Sequence, residues 1–134
     1  MFNITSLIQY FTRKKTVEAQ KKLFQNVDYR VDREYNAKSF LNSMYQQGYF
    51  IGCIKAIANR ENFVVNDQYC LFPDFEIDEP SSHFEGVNFT LFDNELIISE
   101  AACSALVDQA CAKYVEFHPE DSAKISEILR SRLF

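Results

Sequence analysis

Two histidines, four cysteines and a dense run of carboxylates are the side chains with which this chain could do chemistry. A catalytic centre needs a nucleophile, an acid–base pair or a metal held in defined geometry. His118 stands immediately before Pro119 at an expected helix start, where a boundary or capping role is the ordinary one. His83, beside Phe84 in an acidic stretch, is the one candidate general base, yet no nucleophile or electrophile is marked for it to serve. Zinc needs closely spaced ligands, and Cys53, Cys70, Cys103 and Cys111 include no Cys-x-x-Cys pair. Cys103 and Cys111, eight residues apart, would lie two helical turns from one another. Asp74, Glu76, Asp78 and Glu85 occupy the first, third, fifth and twelfth places of a calcium loop. The sixth place, where such a loop turns on Gly, holds Glu79 followed by the rigid Pro80. Three isolated glycines supply no phosphate cradle. The expectation is therefore no catalytic residue, no cofactor and no metal, and a protein that acts by binding.

Charge says what kind of binding. From Glu61 to Ala112 there are eleven acids and no Lys or Arg, while the rest of the chain carries fourteen bases and eight acids. Of the net −5, the acidic window holds −11 and the remainder +6. A solvated acidic face can serve solubility alone, but fifty-two residues without a base point to a functional face with a strong negative field. Arg13-Lys14-Lys15 with Lys21 and Lys22 is the one basic stripe, and the acidic half would repel a phosphate backbone. Direct nucleic-acid binding is not expected.

These side chains need a scaffold, and 134 residues with 47% hydrophobic and 15% aromatic content suit one domain over residues 1–134. Ile4, Leu7, Ile8 and Phe11 follow helical spacing, and a charged helical stretch is expected to reach Leu23 and Phe24. Asn36 is placed to cap a helix with Phe40, Leu41, Met44 and Tyr45 on one face, and Gly48 to end it. A third helix carries Ile51, Ile54, Ile57 and Ala58 inward. Phe63-Val64-Val65 and Tyr69-Cys70-Leu71-Phe72 are β-prone, Pro73 stops the second, and residues 74–83 form an acidic loop. Val87, Phe89 and Leu91 alternate with Asn88 and Thr90; Asp93-Asn94 turns, and Leu96-Ile97-Ile98 returns as the partner strand. Ser99 caps a helix striped with Cys103, Leu106, Val107, Ala110, Tyr114 and Phe117. His118-Pro119-Glu120-Asp121 opens a last one, buried through Ile125, Ile128 and Leu129. The expected fold is α+β, several helices packed on a small antiparallel sheet with a β-hairpin near residues 86–98.

Met1 to Phe11 is interrupted by polar residues, its positive charges follow rather than precede it, and no run is long enough to cross a bilayer. A cytoplasmic protein with reduced thiols and no membrane partner is expected. The runs Met44-Tyr45-Gln46-Gln47-Gly48-Tyr49, Tyr69-Cys70-Leu71-Phe72-Pro73-Asp74, Phe84-Glu85-Gly86-Val87, Ser99-Glu100, Ala110-Cys111-Ala112-Lys113-Tyr114 and His118-Pro119-Glu120-Asp121 carry a resemblance. Over roughly residues 36 to 130 the chain resembles the bacterial immunity proteins of contact-dependent growth inhibition (CDI), in the group set against ribonuclease toxins. The resemblance implies a cytoplasmic protein that binds the nuclease domain of a toxin delivered by a neighbouring cell. An acidic protein can fill the basic cleft of such a nuclease, with charge steering the encounter. The partner-binding residues expected on this basis are Asp74, Glu76, Asp78, Glu79, Glu85, Asp93 and Glu95, with Phe75, Phe84 and Phe92 as aromatic anchors. Two other classes stay open. One is a small enzyme or ligand-binding regulator with a pocket near His83 and Tyr69; the other is a structural subunit, which should show a large apolar patch.

Overall fold

The apolar spacing of Phe40, Leu41, Met44 and Tyr45 builds helix α1 (Tyr35–Gln46), and all four side chains are buried. The helix ends as Gly48 predicts. Gly48 takes φ +84°, its N–H donates to Tyr45 O, and the Tyr49 N–H reaches back to Met44 O at 2.8 Å. Those two bonds satisfy carbonyls that a helix end otherwise leaves open. The computed structural model describes residues 21–134, so the helix expected around Ile4, Leu7, Ile8 and Phe11 lies outside the described residues.

Two asparagines of α1 do work that their sequence positions did not announce. Asn36 is not the cap: the helix begins one residue earlier, and Asn36 is buried in its first turn. Its Nδ2 donates to Phe89 O at 3.0 Å and to Asn94 O at 2.9 Å, which ties the helix to the sheet. Asn42 replaces the helical pairing expected near Leu23 and Phe24. Residues 21–34 are turns and irregular chain, and Asn42 Oδ1 accepts both the Leu23 and Phe24 N–H groups at 2.9 Å while its Nδ2 donates to Phe24 O. Leu23 and Phe24 are thus buried without a helix around them. Truncating Asn42 to Ala leaves two buried N–H groups and a carbonyl unpaired, for an expected loss of about 2–3 kcal/mol in urea unfolding. A loss below about 0.5 kcal/mol, the size of a neutral surface change, would show that the clasp is not holding the segment.

Helix α2 (Phe50–Ala58) buries Phe50, Cys53, Ile54, Ile57 and Ala58. The sheet follows as an antiparallel meander in the order β1-β2-β3-β4, with β1 Phe63–Val65, β2 Gln68–Leu71, β3 Val87–Leu91 and β4 Asn94–Ile98. The two-residue alternation of β3 sends Val87 and Phe89 into the core, where Phe89 meets Phe40 of α1 edge to face, 5.5 Å between ring centres. The last hairpin turns one residue earlier than expected. Leu91 pairs Asn94, so Phe92 and Asp93 make the turn and Asn94 already belongs to β4.

Helix α3 (Glu100–Phe117) is capped as expected, Ser99 Oγ accepting the Ala102 N–H at 3.0 Å. It buries Cys103, Leu106, Val107, Ala110, Cys111 and Tyr114, and leaves Phe117 half-buried. Pro119 opens a 3₁₀ turn (Pro119–Asp121) rather than the last helix itself, and α4 (Ser122–Arg130) begins after it, burying Ile125 and Ile128. His118 fills the corner before this turn, its Nε2 2.9 Å from the Tyr45 hydroxyl, and Tyr114 donates to Asp121 at 2.6 Å. The fold is α+β, as expected.

All four cysteines are free and buried. Burial pushes the thiols of Cys103 and Cys111 up to about 12 and those of Cys53 and Cys70 up as well, so none forms the reactive thiolate near neutral pH. The folded protein should therefore resist iodoacetamide at pH 8, and all four cysteines should be alkylated once it is unfolded without reductant. Rapid labelling of the native state, or two native disulfides, would contradict this arrangement.

Candidate partner-binding surface

The outer face of the sheet is where the alternation places polar groups. Residues opposite one another in an antiparallel sheet share a face. The register therefore lines up Val64, Tyr69, Thr90 and Glu95 in one row and Leu71, Asn88 and Ile97 in the next. The acidic loop leaves β2 at the end of the sheet opposite the two hairpin turns and folds back across this face. Asp74, Ile77, Ser81, Ser82 and Phe84 from the loop then stand against Tyr69, Asn88, Thr90 and Glu95 across a cleft of about 360 Å³.

The loop holds its shape through its own polar groups. Asp74 closes its base, donating its N–H to Ser82 O at 2.9 Å and accepting the Glu76 N–H on Oδ1 at 3.0 Å. Pro80–Ser82 forms a 3₁₀ turn, with the Ser81 hydroxyl on Glu79 Oε1. His83 Nε2 lies 2.7 Å from Ile77 O. A carbonyl only accepts, so that nitrogen carries the proton, and Phe75 stacks on the same ring at 5.4 Å. His83 is thereby committed to bracing the loop, and it does not line the cleft that Tyr69 does.

Asp74, Phe84 and Glu95 meet in this cleft. Glu76, Asp78, Glu79 and Glu85 are exposed along the loop, and Phe75 stands 65% exposed although its ring is stacked. Phe92 and Asp93 lie apart from the cleft at the hairpin end of the sheet. There Phe92 is also 65% exposed, takes the left-handed φ of +56°, and is fixed by its N–H on Asp67 O at 2.7 Å, which joins the two hairpin turns. An aromatic held in that conformation is strained, and the bond to Asp67 is what holds it there.

Electrostatically the window splits in two. Glu100 pairs with Arg60 at 2.9 Å and Asp108 with Arg132 at 2.7 Å, both reached from outside the window. Among the described residues no base pairs with the other nine acids of the window. Among the described residues nothing neutralises their field over the loop and the sheet face, beside the exposed apolar side chains of Val64, Phe75, Ile77, Phe92 and Ile97. Among the described residues, no group of three His, Cys, Asp or Glu side chains stands close enough to hold a metal ion, and no helix is long and apolar enough to cross a membrane.

Sequence reasoning missed Asn88, Thr90 and Ile77 as parts of this surface. The polar positions of β3 were legible as an outward face, but that a loop would cover them and leave Asn88 only 5% exposed was not. Ile77, a lone isoleucine among acids, was the one local signal that the loop packs back.

The family model described as CDI immunity protein matches residues 33–129. The crystal structure of an immunity protein from Neisseria meningitidis MC58 superposes with a TM-score of 0.66 at 19% identity, covering 84% of this chain and 98% of that one, a likeness of fold. No curated protein sequence matches the chain.

Proposed function

Because the chain belongs to the CDI immunity protein family, we propose that it neutralises a toxin by binding it, without turnover, and that the toxin domain is a nuclease. The observation that carries the nuclease reading is the acidic belt: nine acids without a basic partner among the described residues, set among exposed apolar side chains. An enzyme that grips a phosphate backbone presents the opposite field, a basic cleft. Acids on a braced loop meet that cleft with little ordering cost, because the loop's own hydrogen bonds have already fixed it. Phe75, Phe84 and Phe92 supply apolar contact that charge alone does not, since buried ion pairs roughly break even against desolvation. Asp74, Glu76, Asp78, Glu79, Glu85, Asp93 and Glu95 form the charged part of the contact. The setting is the cytoplasm, where a delivered nuclease finds its substrate and where free thiols persist.

The test is co-expression with the product of the adjacent upstream gene. A stable complex at fixed stoichiometry is expected, together with loss of RNA or DNA cleavage by the isolated toxin domain at equimolar protein. A toxin that is captured but acts on membranes or proteins would retain the immunity role and overturn the nuclease assignment.

A further inference from the structure

The cleft between the acidic loop and the sheet has a chemistry narrower than the belt around it. Two acidic residues line it, Asp74 from the loop and Glu95 from β4, both exposed to solvent, and no basic residue does. Glu95 is held from below: the buried Asn88 donates Nδ2 to its Oε1 at 2.8 Å and takes the Thr90 hydroxyl on its own Oδ1 at 2.9 Å. Asp74 Oδ1 is occupied by the Glu76 N–H. Among the described residues Asp74 Oδ2 and Glu95 Oε2 have no hydrogen-bond partner. Each carboxylate is therefore oriented by one oxygen and leaves the other for a guest. Between them the walls are Tyr69, Phe84, Leu71 and Ile77, which suit an apolar stem or a flat ring and not a hydrated ion.

We propose that this cleft is a receptor for an arginine side chain presented by the partner protein, with the guanidinium bridging Asp74 and Glu95; the proposal rests on the partner-binding reading above and names the chemistry of its central contact. Guanidinium is planar, carries five donors and no acceptor, and can bond carboxylates on two sides while its flat face lies on an aromatic wall. Lysine is a compact, strongly hydrated point charge and cannot span both carboxylates with the same economy of desolvation. A bare cation would need more converging oxygens than two carboxylates provide. A volume of about 360 Å³ is within the range of real ligand pockets and admits one long side chain.

The experiment needs no toxin. Isotope-labelled full-length protein is titrated with N-acetyl-L-arginine N-methylamide and followed by amide shifts, including the Asn88 side-chain amide. The lysine and citrulline counterparts are run alongside. Saturable shifts centred on Tyr69, Asn88, Thr90 and Ser82 are expected with arginine, weaker ones with lysine and none with uncharged citrulline. Glu95→Gln should weaken the arginine titration at least about tenfold, the size of one lost charge-assisted bond. Glu127→Gln on α4 should leave it intact. Absence of saturable shifts, equal response to citrulline, or an unaltered titration in Glu95→Gln with unchanged Tm would each overturn the receptor. Because no toxin is present, a negative result here leaves the immunity function to be judged by its own test. A positive result likewise stands if the partner proves not to be a nuclease.

Discussion

Reversing Asp78 and Glu79 together to Lys should weaken binding to the cognate toxin domain by roughly thirtyfold to several thousandfold, the range for breaking close interfacial charge pairs. Both carboxylates are exposed in the free protein; Glu79 takes only the exposed Ser81 hydroxyl, and neither carboxylate takes part in closing the loop's base at Asp74 and Ser82. The loss should divide between the two rate constants. Association slows because the attractive field is reduced, and dissociation quickens wherever a desolvated pair is broken. The association part should shrink as salt rises, since the field acts over about a Debye length. Stability should move by less than about 0.5 kcal/mol, as for other exposed substitutions. Lys22→Glu and Lys55→Glu, outside the belt, make the matched control and should leave the kinetics nearly unchanged. Surface-immobilised toxin domain at two salt concentrations, with melting curves in parallel, decides the matter. A double reversal that binds like wild type, or a control that binds worse, would place the interface elsewhere.

The largest stability effect is expected at Gly86, where the acidic loop joins β3. Its φ is +106°, and a Cβ built there would stand 2.1 Å from the backbone oxygen of Ile98, the residue that pairs with Val87. Backbone cannot swing aside as a flexible side chain can, so Gly86→Ala must either twist the loop or part β3 from β4 at their pairing. A loss of about 3 kcal/mol or more is expected, a Tm drop on the order of 10 °C for a chain of this size. Gly48 supplies the comparison, because it shares a positive φ, here +84°, but beyond its two chain neighbours no atom lies within 4 Å of the added carbon. Gly48→Ala should cost only the conformational term, about 1 kcal/mol. Equal losses at the two sites would mean that the close approach to Ile98 does not exist in solution. Toxin binding by the Gly86 variant, measured well below its Tm, should also weaken, since the loop's base is displaced.

What was legible in the sequence was whatever repeats with a local period or depends on one residue's conformational freedom. The stripe of α3, its Ser99 cap, the Gly48 terminus and the alternation of β3 all belong to that class. The failures share another cause. Asn36 reads as a cap by its neighbours, yet its partners are carbonyls of Phe89 and Asn94, more than fifty residues away. Asn42 likewise reads as a polar residue on a helix, and the segment it clasps, residues 23 and 24, reads as helical because its apolar residues do fall inward. The turn at Phe92-Asp93 was misplaced by one residue because an aromatic rarely adopts positive φ; only the bond from its N–H to Asp67, in another hairpin, selects it. For the candidate site, the acids and aromatics could be enumerated from composition. Which of them meet across the cleft could not, because that depends on the loop's path over the sheet.

The alternation along β3 has one more consequence. Val87 and Phe89 face the helices while Asn88 and Thr90 face the cleft, so one five-residue strand carries two sets of positions with separate obligations. A change on the inner set is answerable to packing, where a methylene matters. On the proposed interface, a change at the exposed Glu76, Asp78 or Glu85 touches none of the bonds that shape the loop and is answerable to the docking partner. Specificity can therefore drift, acid by acid, while the scaffold is inherited unaltered. Such a chain can follow a rival's changing weapon without relearning how to fold.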